Sequence, residues 1–263
     1  MAHVAKYKAT SVGHMLAHYR RDQSSLEREN IDRGRVDLNY DVKIGSDGRA
    51  RLARVGTARP AWSTVEERRE AVDRAAKAEG RRATRKDAVL MADLVVTLPE
   101  NVRAGDEGAF FRYTYEWLAN RVGSENLMGG FVHKDEIRTD GSPVRAHMHA
   151  PFTPILDGRF NFKKMCPRTF YQSLHKDLGD YLERQLGYRP EVELNEETRA
   201  QRCIPTSRSI STRCAGPSTR LWSSRRGGKP RGRRLERAPP RPRRPRPVSN
   251  WVPWQSRWTK NVL

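Results

Sequence analysis

Three of the seven histidines in this 263-residue chain fall within residues 127–152, where their spacing suits a metal centre. His147 and His149 are two residues apart, so in a β-strand both side chains project from the same face. A second short strand ending at His133, paired antiparallel through the polar loop 134–145, would place the third imidazole beside them. Three imidazoles with coordination positions left over are typical of a catalytic metal site rather than a structural one.

The two acidic residues after His133 extend this candidate site. Asp135 and Glu136 are close enough in sequence to act as ligand, base or hydrogen-bond partner. A His-x-His pair is also common at a protein surface or as a satisfied pair in a core. The spacing alone therefore leaves both interpretations open, and the rest of the chain is needed to choose between them.

The formal charge of +20 is concentrated in the last part of the chain. Residues 201–263 hold 17 lysines and arginines against one acid, Glu236, whereas residues 1–200 carry only about +4. A basic chain favours a polyanionic partner, but here the charge describes mainly that last segment. The three cysteines show no spacing typical of a disulfide framework or a metal site. With no apolar run of about 18 residues and no signal-peptide core, we expect no membrane span and a cytoplasmic location.

Hydrophobic patterning predicts an α+β fold. Helices are predicted at residues 11–22, 64–79, 107–122 and 167–186. Strands are predicted at residues 3–8, 38–42, 88–96, 127–133 and 144–151. This order favours a largely antiparallel sheet with helices packed on one face, which leaves the other face open for a site.

Residues 1–198 are predicted to form one domain, and residues 199–263 a disordered basic tail. Of the last 63 residues only eight are isoleucine, leucine or valine, and none is phenylalanine or methionine. One interpretation is a DNA-tracking arm in which Trp251, Trp254 and Trp258 stack on bases. The other, which the Arg/Pro/Ser/Trp-rich composition favours, is a change of reading frame in a G+C-rich gene.

Four motifs occur in the order seen in one protein family. They are HYRR at residues 18–21, DLNY at 37–40, RKDAV at 85–89, and the set of His133, Glu136 and HMH at 147–149. Together they resemble the Mob/Pre plasmid mobilisation and recombination proteins, the MobV-type relaxases, over about residues 1–195. The resemblance implies an HUH relaxase-like fold of the α+β class described above.

The resemblance further implies a metal-dependent enzyme that nicks and rejoins DNA. Such relaxases cut one strand of plasmid DNA at an origin of transfer and stay joined to the 5′ phosphate, for conjugative mobilisation or plasmid recombination. A divalent ion, manganese with magnesium as the alternative, neutralises the phosphate charge that repels a nucleophile. The implied partner is origin DNA, with no small-molecule cofactor, and full-length relatives are linked to homodimerisation.

The motifs also imply roles for individual residues. The metal triad of the family is matched by His133, His147 and His149. Its catalytic positions are matched by His18 as nucleophile, Arg21 as the partner of that histidine, and Glu136 as the nearby acid. The positions expected to contact DNA phosphates or bases are Arg35, Asn39, Tyr40, Arg85 and Lys86. Tyr19 and Tyr40 stay open as alternative nucleophiles, because a tyrosine ester is the commoner intermediate.

Two features depart from the family pattern. Residues 137–146 lengthen the turn before His147 and displace Pro143 from that histidine, so the pattern does not set the approach of His133 to the pair. The long C-terminal helical region of the family has no counterpart in residues 201–263, which implies a truncated relaxase domain.

Two other functions remain open from the sequence. A rolling-circle replication initiator has a similar histidine pair and places its catalytic tyrosine on the following helix, here Tyr171 or Tyr181. A non-enzymatic origin-binding protein would occupy DNA without cutting it. Metal-dependent cleavage separates the second alternative from the enzymes, and the identity of the attached residue separates the relaxase from the initiator.

Overall fold

A computed structural model describes residues 1–22, 26–57 and 62–193 of the chain. The predicted domain boundary at residues 198/199 and the predicted disordered tail lie outside these described residues. Within them, no helix combines the length and the apolar character that crossing a membrane requires.

The fold is organised by one sheet whose neighbouring strands are all antiparallel. Its strands are β1 (Ala2–Tyr7), β2 (Tyr40–Ile44), β3 (Ala50–Ala53), β4 (Met91–Thr97), β5 (Gly130–His133) and β6 (His147–Phe152). They lie in the order β1-β4-β6-β5-β2-β3, so the two histidine-bearing strands are central. A separate hairpin contains β7 (Ile155–Leu156) and β8 (Arg159–Phe160).

Within the described residues, five helices accompany the sheet. They are α1 (Ala9–Arg20), α2 (Trp62–Ala78), α3 (Glu107–Val122), the short α4 (Phe162–Met165) and α5 (Arg168–Leu186). Two 3₁₀ turns, Arg33–Leu38 and Ser124–Asn126, lead into β2 and β5. The α+β class and the antiparallel sheet are as predicted, and the predicted helix at 107–122 has the bounds of α3.

Helices α3 and α5 cover one face of the sheet because alternate strand residues on that face are apolar. The buried residues there include Ala92, Leu94 and Val96 of β4, and Met148, Ala150 and Phe152 of β6. Residues Phe110, Phe111 and Leu118 of α3 and Leu174, Leu178 and Leu182 of α5 complete this core. A strand alternates its side chains between faces, so burial of Met148 on this side directs His147 and His149 to the other side.

The opposite face, which the sequence left open, is partly covered by α1 and α2. Val12, Leu16 and Tyr19 form an apolar stripe along α1, at spacings of four and three residues that share one helical face. This stripe packs against Met91 and Phe131 of the sheet in a second, smaller apolar cluster. Burial of the stripe lays α1 across the face that carries the histidines, and the last turn of α1 carries His18.

Candidate active site

The register of β5 and β6 brings three histidines together. His133 pairs directly with His147, and Phe131 pairs with His149, so the three imidazoles project from neighbouring positions on one face. Their ring centroids lie 5.2 to 5.7 Å apart. All three residues are buried, with His133 the most deeply enclosed at 2% exposed. The predicted juxtaposition of His133 with the His-x-His pair is therefore present.

The lengthened loop after Glu136 does not disturb this pairing. Ile137 and Pro143 form a bridge across the loop, and the Val144 amide donates to the Glu136 carbonyl at 2.8 Å. Asp140 and Gly141 lie at the tip, as predicted for a turn, where Gly141 has a φ of +78°. The extra residues form a loop that is closed at its base, so His133 and His147 are still paired directly across the two strands.

One nitrogen of each ring is held by an oxygen of the protein. The Nδ1 of His149 lies 2.7 Å from the Asp93 Oδ2, and the Nδ1 of His147 lies 3.2 Å from the Arg145 carbonyl. The Nε2 of His133 lies 3.3 Å from the Tyr19 carbonyl. Because an ionised carboxylate and a carbonyl only accept hydrogen bonds, each of these nitrogens is the protonated one and donates. In its neutral form each ring keeps a lone pair on the other nitrogen, as a metal ligand must. Burial opposes protonation of His147, but its contacts with Glu136 outweigh burial and raise the pKa of His147.

The free lone pairs fit a divalent ion. The Nδ1 of His133 is buried and has no hydrogen-bond partner among the described residues. In the described part of the chain, two overlapping groups have potential ligand atoms within 4.8 Å of one another, namely His18, His133 and His149, and His133, Glu136 and His147. Imidazole nitrogens with a carboxylate suit a transition ion such as Mn²⁺ better than Mg²⁺, which prefers oxygen ligands. The residues present therefore fit the ion that the sequence resemblance implied.

His18 approaches this group from α1. Its Nε2 lies 3.4 Å from the Nε2 of His149, and its ring centroid lies 5.1 Å from those of His133 and His149. Burial, reinforced by neighbouring histidines and Arg21, lowers the pKa of His18 to about 2, so its ring is neutral at ordinary pH. Arg21 Nη1 lies 3.1 Å from the His18 Nδ1, and since a guanidinium only donates, the ring proton is on Nε2.

Arg21 is held in place by a buried carboxylate. Its Nε and Nη2 donate to the two oxygens of Asp135 at 2.9 and 2.7 Å, and Nη2 also donates to Glu136 at 2.9 Å. The Arg21 side chain is 3% exposed and that of Asp135 is fully buried. Arg21 has a φ of +52°, which ends α1 and turns its side chain back toward His18. This bidentate pair is the geometry in which a guanidinium binds a carboxylate most strongly.

Glu136 faces three of the four histidines. Its carboxylate oxygens lie 3.6 Å from the His18 Nε2, 3.7 Å from the His133 Nδ1 and 3.5 Å from the His147 Nε2. Burial by itself would raise the pKa of Glu136, but contacts with His133, His147 and Arg21 hold that pKa well below its usual value. Glu136 is therefore ionised and is the carboxylate nearest to the His18 Nε2 proton.

The tyrosines considered as nucleophiles do not face the site. Tyr19 is 2% exposed and its hydroxyl donates to Asp93 at 2.9 Å, while burial beside Asp93 raises its pKa far above the usual value. Tyr40 is on the opposite face of the sheet, where its hydroxyl donates to Glu107 at 3.0 Å. Tyr171 and Tyr181 are on α5, which packs on that same opposite face. The Tyr19 ring lies beside the triad, 5.0 Å from that of His149, but its hydroxyl is held by Asp93, so among these candidates only His18 presents its reactive atom to the triad.

The residues expected to contact DNA are scattered. Asn39 is buried, its Nδ2 donates to Asp135 at 2.7 Å, and its Oδ1 accepts from the Lys134 amide at 2.7 Å, so both polar atoms are used inside the protein. Tyr40 is directed away from the histidines, as described above. Arg35 is half-buried in the first 3₁₀ turn. Arg85 and Lys86 are exposed on the segment before β4, away from the triad.

Two carboxylates that position the site were missed or undervalued in the sequence. Asp93 orients His149, and Asp135 orients Arg21, yet neither was assigned that role. Asp93 had a signal, since it is the one acid within the apolar run 88–96 and must find a partner when that strand is buried. For Asp135 the only signal in the sequence was its position next to Glu136.

The chain is similar in sequence to plasmid recombination enzymes. The family model of the plasmid recombination enzymes (Mob_Pre) matches residues 63–191. The plasmid recombination enzyme type 2 of Staphylococcus aureus is 27% identical over 184 residues, which cover 68% of this chain and 38% of that protein. A plasmid recombination enzyme of Lactiplantibacillus plantarum is 26% identical over 187 residues, which cover 69% of this chain and 45% of the relative. The chain thus spans less than half the length of these curated relatives.

Solved structures show the same fold. The MobM relaxase domain bound to plasmid pMV158 oriT DNA, in a Mn-bound crystal structure, superposes with a TM-score of 0.54. It is 23% identical, and the match covers 74% of this chain and 90% of the relaxase domain. A second Mn-bound structure of that domain, with a 23-nucleotide DNA, gives a TM-score of 0.53 at 24% identity, covering 75% and 90% of the two chains.

Proposed function

The chain belongs to the plasmid recombination enzyme (Mob/Pre) family, and from that premise we propose that it is a relaxase that nicks one strand of plasmid DNA at an origin of transfer. One observation carries the proposal. The last turn of α1 sets His18 against the triad, with its Nε2 3.4 Å from the His149 Nε2 and its Nδ1 bonded to Arg21. A neutral nucleophile beside a three-imidazole centre is what cleavage through a covalent intermediate requires.

The triad defines where a divalent ion would bind. His133, His147 and His149 would hold it, with Mn²⁺ as the first candidate and Mg²⁺ as the second. When bound, the ion supplies Lewis-acid polarisation of the scissile phosphate and neutralises part of its charge. Asp93 and the Arg145 and Tyr19 carbonyls keep the three rings in the tautomers that this role needs.

The covalent step uses His18 and Glu136. Attack on phosphorus needs a lone pair on the His18 Nε2, so the proton on that nitrogen must leave as the bond from Nε2 to phosphorus forms. The bond from phosphorus to the 3′ oxygen breaks, which leaves the 5′ phosphate on the protein as a phosphoramidate. Glu136, whose Oε1 lies 3.6 Å away, accepts the Nε2 proton and passes it to the departing 3′ oxygen. The free 3′ hydroxyl can attack the phosphoramidate in the reverse step, so the bond energy is kept for rejoining.

Arg21 prepares His18 for that step. Its hydrogen bond to Nδ1 fixes the ring proton on Nε2, the nitrogen that faces Glu136, and its positive charge disfavours protonation of the ring. Asp135 accepts two hydrogen bonds from the Arg21 guanidinium, and this bidentate contact keeps the guanidinium beside His18.

The proposal is tested by cleavage of single-stranded oligonucleotides tiled across the DNA that flanks the gene, with and without Mn²⁺. We expect one oligonucleotide to be cut, with the protein retained on the 5′-phosphate fragment. His18→Ala and His147→Ala should both abolish cutting, while His14→Ala, an exposed histidine one turn earlier on α1, should cut normally.

The chemistry of the attachment identifies the nucleophile. A histidine phosphoramidate is hydrolysed in mild acid and survives alkali, whereas a tyrosine phosphate ester survives acid. Release of the DNA fragment by mild acid, with the modified peptide spanning His18, is the expected result. An acid-stable adduct on a tyrosine peptide, or binding by the wild-type protein without any cutting, would refute the proposal.

A further inference from the structure

A second charged region lies at the β1 edge of the sheet, away from the histidines. It is a cleft of about 530 Å³ between α2, the segment 81–89 and the β8–α4 turn. Six cations line it, and they are Lys6, Arg81, Arg82, Arg85, Arg159 and Lys163. Asp87 is the only acid in its lining. Ala88 and Phe160 of its lining pack against the small apolar cluster that also contains Tyr19.

Most of this positive charge is not neutralised by the protein. Arg81 is paired with Glu79 at 2.5 Å, and Arg85 lies 3.4 Å from Asp87 with its side chain 80% exposed. Lys6, Arg82 and Lys163 form no ion pair within the described residues and are exposed. Gathering like charges in a concavity without partners is unfavourable, and a bound polyanion relieves it.

The lining of the cleft also contains apolar and aromatic residues. Val72, Ala76 and Val89 supply apolar surface, and Phe160 and Phe162 are half-buried aromatic rings in the lining. Cations and aromatic rings in one lining are the combination that binds an unpaired nucleotide, whose phosphate contacts cations while its base stacks on a ring. The volume lies within the roughly 300–1,000 Å³ of sites that enclose a small ligand. A base inside a duplex is stacked and cannot enter such a cleft.

We propose that this cleft binds unpaired nucleotides of the DNA strand outside the scissile position. The inference rests on the proposed function for the identity of its polyanion. It assigns Arg85, expected from the sequence to contact DNA, to a site separate from the histidine centre. The cleft contributes binding energy and strand placement, and none of its residues takes part in the covalent step.

The test measures binding of a short fluorescent oligothymidylate to the full chain in EDTA, as a function of salt concentration. The variant combines Arg82→Ala, Arg159→Ala and Lys163→Ala. The control removes the same charge from three exposed positions elsewhere, with Arg49→Ala, Arg54→Ala and Arg184→Ala. Both proteins keep residues 201–263, so any background from that basic segment is equal.

We expect the cleft variant to lower the slope of log K against log salt by about 2, from about 0.7 per lost phosphate contact on a single strand. The control should change the slope by less than half as much. An oligomer with abasic positions should bind the wild-type protein more weakly and the cleft variant no differently.

Three results would overturn the inference. They are equal slopes for cleft variant and control, an equal loss for duplex and single-stranded DNA, and competition by polyglutamate as effective as that by oligothymidylate. The last would make the cleft a site for an acidic protein segment. Because the binding assay needs neither metal nor cleavage, failure of the proposed nicking activity leaves its outcome readable.

Discussion

Removing the Arg21 guanidinium should destabilise the protein strongly, because it leaves a buried charge without its main partner. Arg21→Met keeps the length of the side chain and removes the two hydrogen bonds to Asp135 and the one to Glu136. Among the described residues, only Asn39 Nδ2 then remains on the Asp135 carboxylate, which is fully buried. Breaking a buried ion pair from one side costs about 3–5 kcal/mol. Methionine and arginine are about equally strained at the positive φ of this position, so backbone strain does not contribute to the difference in stability between the two proteins.

The assay is urea unfolding of the full chain followed by circular dichroism. With a slope of about 2 kcal/mol per molar urea, the midpoint of Arg21→Met should fall by about 1.5–2.5 M. The control is Arg20→Met, whose pair with Asp22 is one-third exposed or more on both sides and contributes at most about 1 kcal/mol.

A double-mutant cycle separates the ion pair from general damage. Asp135→Asn removes the charge that Arg21→Met leaves unpaired, so the double variant should lose less than the sum of the two single losses, by about 1.5–3 kcal/mol. The reasoning is refuted if Arg21→Met costs no more than Arg20→Met, or if the two losses simply add. Nicking should fall about 100-fold or more in Arg21→Met, since the His18 tautomer is then no longer set.

Three further predictions follow from the same geometry. Asp93→Asn should weaken Mn²⁺ binding about 10- to 100-fold in a titration followed by electron paramagnetic resonance, because His149 loses the carboxylate that orients it; Tyr19→Phe, which removes only a second donor to that carboxylate, should bind Mn²⁺ nearly normally. His18 is neutral in the folded protein and has its ordinary pKa of 6.5 when unfolded, so the unfolded state binds the extra proton and the folded state loses stability as pH falls below 6.5. That loss, up to about 1.4 kcal/mol per pH unit, should be smaller in His18→Asn and unchanged in His14→Asn, and equal pH slopes for all three proteins would contradict it. Mn²⁺ at about 100 times its dissociation constant should stabilise the wild-type protein by about 2.7 kcal/mol and leave His147→Ala unchanged; no rise in the wild-type melting temperature would argue against the metal site.

The sequence by itself determined the class of the fold and the histidine pair. Alternation of side chains along a strand is local, so the outward direction of His147 and His149 and the inward direction of Met148 follow from the residue order. The helix at 107–122 was also predictable, because its apolar spacing and its terminal Gly123 are properties of one segment. Order and spacing of the four motifs were enough to indicate the family.

The motifs indicated His18 and Arg21 only through the resemblance, and the tertiary structure decided how these residues meet the triad. His18 is separated from His149 by 131 positions, and only the burial of the α1 stripe against Met91 and Phe131 brings the two rings together. Pairing of Arg21 with Asp135 spans 114 positions, and nothing in either segment specifies the other. Asn39 and Tyr40, which the motifs indicated as DNA contacts, instead bind other residues of the protein. Their exposure depends on segments far along the chain that pack against them. A pattern sets the direction of a side chain from its own backbone, whereas its partners depend on how distant segments pack.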